Sequence, residues 1–136
     1  MKDERSRMER YIKTLIQGTN PGPHRAILSA LQFHIGRDQA ISRKALLSQV
    51  TGWGLEDRSL RICISELRLW PTPICSVGGD GGGYYLPANK LELVEYLSHE
   101  VRPKAMDYLE QEKALKQWAE GFWGRYSPEQ QIPMFR

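Results

Sequence analysis

The sequence predicts a mainly α-helical chain that carries one small β-hairpin, with further helices on either side. Three observations predict it. Apolar residues recur at helical spacing in several separate stretches; two of these stretches are joined by a short turn containing glycine; and two β-like runs flank the glycine-rich segment Gly78 to Gly83. At 136 residues, with 40% hydrophobic and 26% charged residues, the chain has the size of one domain with appendages and the composition of a protein that folds.

The elements follow in order. Met8, Tyr11, Ile12, Leu15 and Ile16 predict an amphipathic helix over residues 4–17, stopped by Gly18 and followed by the linker Asn20-Pro21-Gly22-Pro23. A second helical pattern covers residues 24–35, with Ile27, Leu28, Leu31, Phe33 and Ile35 for a core and Gly36 as its stop. Ala40 and Ile41 supply a very short strand. Ser42 caps a helix over residues 43–50 with Ala45, Leu46 and Val50 turned inward, and Thr51-Gly52-Trp53-Gly54 breaks it.

Asp57 caps the next helix, residues 57–70. In it Leu60, Cys63, Ile64 and Leu67 share one side, and Arg58, Arg61, Ser65 and Arg68 share the opposite one. After Pro71-Thr72-Pro73, residues 74–77 and 84–86 form a hairpin around a mobile glycine tip. Helical spacing returns at residues 90–101 and 104–118, with Pro103 ending one helix and starting the other because its ring forbids an interior helical bond. The division expected is an N-terminal helix and linker (1–23), a central domain (24–87), C-terminal helices (88–120) and a flexible tail (121–136).

Charge is uneven along the chain. Residues 1–70 hold 12 basic and 7 acidic side chains, and residues 71–136 hold 7 and 9. A net positive first half suits a polyanionic partner, since attraction to phosphate supplies most non-specific nucleic-acid affinity. Two helices joined by a short glycine-containing turn form a helix-turn-helix, whose second helix enters the DNA major groove; a hairpin that follows it is a wing.

This order, carried by Ile41-Ser42-Arg43-Lys44-Ala45-Leu46, by Asp57-Arg58 and Leu67-Arg68, and by Pro73-Ile74-Cys75-Ser76 with Gly82-Gly83-Tyr84-Tyr85-Leu86, covers about half of the chain. It resembles the winged helix-turn-helix domain of the biotin repressor and its relatives, and is similar to small winged-helix proteins of bacterial phages and prophages. The resemblance implies double-stranded DNA as partner, with Arg61 and Ser65 reaching base edges, Arg58 on the same face, and Arg43, Lys44 and Arg68 at phosphates. The hairpin tip holds Asp80 and no Arg or Lys, so the wing is not expected to add much affinity.

Near the end, Gln131-Ile132-Pro133-Met134-Phe135 resembles the peptides by which bacterial proteins bind the replication sliding clamp. Gln131 would hydrogen-bond at a pocket rim while Ile132, Met134 and Phe135 fill apolar hollows, with Pro133 stiffening the extended form. The alternative is that these apolar residues fold back on the chain itself.

Other chemistries find little support. The glycine segment lacks the Lys-Ser/Thr of a phosphate-binding loop and precedes a strand. His24, His34 and His99 are scattered, and with Cys63 and Cys75 they give no zinc-finger spacing, so no metal and no cofactor are expected. The cysteines are expected free and buried. No Gly-x-Ser-x-Gly elbow occurs, and Glu92, Glu95 and Glu100 read as a solvated helix face, so no enzyme is expected. The charged N-terminus and the absence of long apolar runs lead to the expectation of a cytoplasmic protein with no membrane partner. Three functions remain open: an accessory protein of phage-type DNA metabolism, a transcriptional regulator acting as a homodimer through its C-terminal helices, and a protein-interaction module.

Overall fold

Six helices and a small three-stranded antiparallel sheet make up the described part of the chain, which a computed structural model covers at residues 2–70, 72–79 and 82–124. The chain divides into two units, Met1–Tyr96 and Leu97–Arg136. Among the described residues, no helix is long and apolar enough to cross a membrane.

In the first unit, α1 (Lys2–Gly18) and α2 (Pro23–Leu31) lead to β1 (Ile41–Ser42), α3 (Arg43–Gln49), α4 (Asp57–Leu69), β2 (Cys75–Val77), β3 (Gly83–Tyr85) and α5 (Lys90–Tyr96). The apolar rows predicted from spacing make the core: Ile27, Leu28 and Leu31 of α2, Leu46 of α3 with Val50 after it, and Leu60, Cys63, Ile64 and Leu67 of α4 are buried together. Ile12 of α1 joins them, with Met8, Leu15 and Ile16 packed at the margin. The N-terminal helix therefore belongs to this unit, where Arg5 donates to the Ile35 carbonyl at 2.6 Å and Glu4 accepts the Lys90 amide at 3.0 Å.

Three local expectations are corrected. First, α2 ends at Leu31, four residues short of Ile35, and Phe33 is 75% exposed, outside the core. The backbone turns there because Leu86 claims it: the Leu86 amide donates to the His34 carbonyl at 2.9 Å, and the Gly36 amide donates to the Leu86 carbonyl at 2.7 Å. Second, Ala45 is exposed, one residue before the buried Leu46. Third, the N-cap of α4 is Glu56. Its amide donates to the Ser59 hydroxyl at 2.8 Å, which releases Asp57 for ion pairs. The Ser42 cap of α3 is as expected, accepting the Ala45 amide at 3.1 Å.

The sheet has the order β1-β3-β2, with Ile41 opposite Tyr84 and Cys75 opposite Tyr85. Gly83 is needed at the β1–β3 contact, since a Cβ there would stand 2.9 Å from the Ile41 carbonyl oxygen. Of the expected mobile tip, Asp80 and Gly81 lie outside the described residues; the Gly82 amide closes the turn on the Gly79 carbonyl at 3.2 Å. Glu92, expected on a solvated face, accepts the Ala88 amide at 2.9 Å, and the Glu92 amide donates to Asn89 at 3.0 Å, so it holds the first turn of α5.

The second unit consists, in its described part, of a π-helical turn (Leu97–Val101) and α6 (Arg102–Trp123). Pro103 lies in the first turn of α6, directly after the π-helical turn; the helix break expected at this proline is absent, since Val101 and Arg102 before it already carry helical backbone. Two boundaries differ from expectation: α5 ends at Tyr96, and α6 continues to Trp123, into what the sequence reads as tail.

Cys63 and Cys75 are free and buried. Burial pushes the Cys75 thiol up from 9.0 to about 11 and the phenol of Tyr85, facing it across the sheet, up from 10.0 to about 12. Both groups ionise earlier in the unfolded chain, so unfolding releases protons and stability falls as pH rises through those windows. Urea midpoints are expected to hold to pH 9 and drop progressively beyond it. Leu60→Ala is expected to cost about 2–5 kcal/mol in the same assay, and Phe33→Ala less than about 0.5 kcal/mol.

Candidate nucleic-acid interface

The candidate interface is the side of α4 left outside when its apolar row is buried. The turn that precedes α4 is set by Gly54 at φ 70, left-handed backbone that favours glycine, after a 3₁₀ turn over Thr51–Trp53. Because Leu60, Cys63, Ile64 and Leu67 face α2 and α3, the opposite row must face solvent. Arg58, Arg61, Ser65 and Arg68 are all exposed there, as expected.

The structure sorts these side chains into two groups. Arg61 pairs with Asp57 at 3.1 Å, and Asp57 also pairs with Arg43 from the start of α3 at 2.9 Å. One carboxylate thus holds a guanidinium from each of α3 and α4. The pairs are half exposed, so each contributes no more than about 1 kcal/mol to stability. Their effect is on placement. Arg43 also approaches the hairpin, where a Cβ built on Gly82 would meet its Nη1 at 3.4 Å. Lys44 and Arg58 extend this basic surface and are exposed.

Arg68 belongs elsewhere. Its Nε donates to the Ile74 carbonyl at 2.8 Å and its guanidinium lies 5.8 Å from the Tyr96 ring centroid. It joins the end of α4 to the start of β2 and to α5, which makes it a positioning residue for the hairpin.

Sequence reasoning missed three participants. Asp57 reads from the sequence as a cap, although its i, i+4 spacing to Arg61 is a recognisable ion-pair signal. Tyr84 lies on β3 within the field of Arg68, Arg43, Asp57 and Arg61; burial raises its phenol above the ordinary value, and the arginines act against that rise. Ile62 is 49% exposed between Arg58 and Ser65, an apolar side chain in an otherwise polar row.

On another side of the unit, His24 brings α2 to α4. Its Nε2 stands 3.0 Å from a Glu66 carboxylate oxygen and its ring lies tilted against Trp70 with centroids 5.0 Å apart. Cys63 adds a third potential ligand atom, all three within 4.8 Å of one another, a grouping no sequence spacing announces. The imidazole and carboxylate already satisfy each other. Burial, then the Glu66 charge, raise the Cys63 thiol, against the thiolate that a metal would take. An open hollow of about 630 Å³ is lined by Met8, Tyr11, Pro73, Pro87 and Leu93 together with Arg7 and Arg10. The expected clamp-binding residues Gln131, Ile132, Met134 and Phe135 lie outside the described residues.

No family model, curated protein or solved structure matches this chain.

Proposed function

We propose that the first unit is a winged helix-turn-helix domain that binds duplex DNA with α4 in the major groove, and that the protein is an accessory factor of phage-type DNA metabolism, acting in replication or its control. The observation that carries this reading is the exposed row of α4. Arg58, Arg61, Ile62 and Ser65 stand opposite the buried apolar row, flanked by Arg43 and Lys44 of α3, in a chain whose element order is strand, helix, helix, hairpin. An α-helix fits the major groove, where Arg reads guanine in a bidentate manner, Ser serves either base type and an apolar side chain meets the thymine methyl.

Arg58, Arg61 and Ser65 take the base edges in this scheme, and Ile62 supplies an apolar contact. Arg43 and Lys44, at the N-terminus of α3, neutralise phosphates. Asp57 holds Arg43 and Arg61 in place but carries the charge that phosphate repels, so it tempers affinity while keeping geometry.

Fluorescence anisotropy of a labelled random duplex at several salt concentrations tests the proposal. Arg43→Ala with Lys44→Ala is expected to lower affinity at least about tenfold and to make the salt slope shallower by about 2. Asp57→Asn is expected to tighten non-specific binding and loosen discrimination between sequences. Binding that is insensitive to salt, or equal in the native chain and the double variant, would favour a protein-interaction module instead.

We infer a second partner for the tail: the pattern Gln131-Ile132-Pro133-Met134-Phe135 fits a peptide that tethers the protein to, or blocks, the bacterial sliding clamp. Its support is the sequence pattern. Gln131→Ala with Phe135→Ala is expected to abolish clamp binding in surface plasmon resonance while leaving DNA binding intact; undiminished clamp binding would refute the tether.

A further inference from the structure

The described part of the second unit presents a long apolar stripe. Val101, Tyr108, Leu115 and Phe122 recur every seven residues, and Ala105, Glu112 and Ala119 follow the first three by four residues. Steps of four and three keep side chains on one line of an α-helix, the spacing with which helices pack knobs into holes. The line is open: Val101 is 39% exposed, Tyr108 71%, Leu115 68% and Phe122 67%. On a helix about 33 Å long, such a row exceeds the scattered apolar residues usual on a soluble surface.

We propose that this stripe is covered by the same stripe of a second copy of the chain, running antiparallel. Size and charge both select that occupant and that direction. When Ala105 is set against Leu115 of the second copy, the same antiparallel register sets Val101 against Ala119 and Tyr108 against Glu112. Four of the six layers then match a large apolar side chain with an alanine, as interdigitating cores require. The other two match a phenol that can donate with a carboxylate that can accept. A parallel pair in register would place Glu112 against its own copy, two carboxylates facing each other with no donor between them, each paired only sideways with the Lys116 of its own helix at 3.5 Å.

The flank agrees with this choice. The antiparallel register brings Lys104 beside Trp118 of the second copy, whose indole is already fixed by stacking on Phe122 at 5.0 Å, and an ammonium over an indole is a favourable contact. Charged residues Arg102, Glu110, Lys113 and Glu120 fall away from the stripe, at positions that stay wet in the dimer. This pairing is independent of the DNA-binding reading, because it is formed by the second unit and is measured without DNA.

Sedimentation equilibrium of the full chain at tens of micromolar is expected to give twice the monomer mass of 15.7 kDa. Leu115→Glu is expected to raise the dimer dissociation constant at least about a hundredfold, and Met106→Glu, on the opposite side of α6, to leave it unchanged. For direction, Ala105→Cys and Leu115→Cys chains, one of them tagged, are mixed under mild oxidation, and the cross-link is expected between the two variants. A monomeric native chain would overturn the proposal, as would a dimer indifferent to Leu115→Glu or cross-links joining two Ala105→Cys copies in preference to the mixed pair.

Discussion

Burial of Leu60, Cys63, Ile64 and Leu67 against α2 and α3 fixes how α4 is rolled about its own axis, and the rest of the first unit depends on that roll. Turning the helix by one residue would move every side chain by about 100° and bring Arg61 toward the core, at a desolvation cost no local interaction could offset. With the roll fixed, the arginine row is necessarily exposed, and Asp57 at the first turn is necessarily beside Arg43 of the preceding helix. The hairpin is then anchored from the same helix, because the Arg68 side chain reaches back to the Ile74 carbonyl. Core, exposed basic row and hairpin position are three consequences of one packing decision.

Much of this was legible in the sequence because helical periodicity is a local property. The rows of α1 and α4 and the Ser42 cap are decided within a few residues of themselves. The failures share the opposite character. Ile35 continues the spacing of Ile27 and Leu31, and nothing nearby says that the backbone will leave the helix; the reason is Leu86, which is distant in sequence and takes hydrogen bonds on both sides of Ile35. Arg68 looks like Arg58 and Arg61 on a helical wheel, yet it stands at the end where β2 and α5 meet α4. The grouping of His24 with Cys63 and Glu66 joins two helices and has no spacing to search for.

The basic surface is more ordered than its composition suggests. Two guanidinium groups sharing one carboxylate leave a net positive charge with restricted orientation, which suits recognition better than an unpaired arginine row would. A side chain already held loses less freedom on binding, and Arg in a fixed fork presents its donors in one plane. In the proposed DNA complex the acidic residue lowers the electrostatic attraction and sharpens the geometry, which sets affinity and discrimination against each other at a single position.

The uneven charge of the chain follows the same division of labour. In the proposed DNA complex, side chains that meet a polyanion need an excess of one sign, and the excess of basic residues lies in the first 70 residues. A helix that covers its apolar stripe with another helix needs no excess, only flanks that stay hydrated and a seam whose one carboxylate can find a donor; α6 carries Lys, Arg, Asp and Glu in mixture. Glu112 is the informative residue: it pairs with Lys116 along its own helix at 3.5 Å, and a uniform apolar seam would gain nothing from it. A charge at such a position weakens association in general and is retained where it excludes the wrong pairing, and here the pairing it excludes is the parallel one.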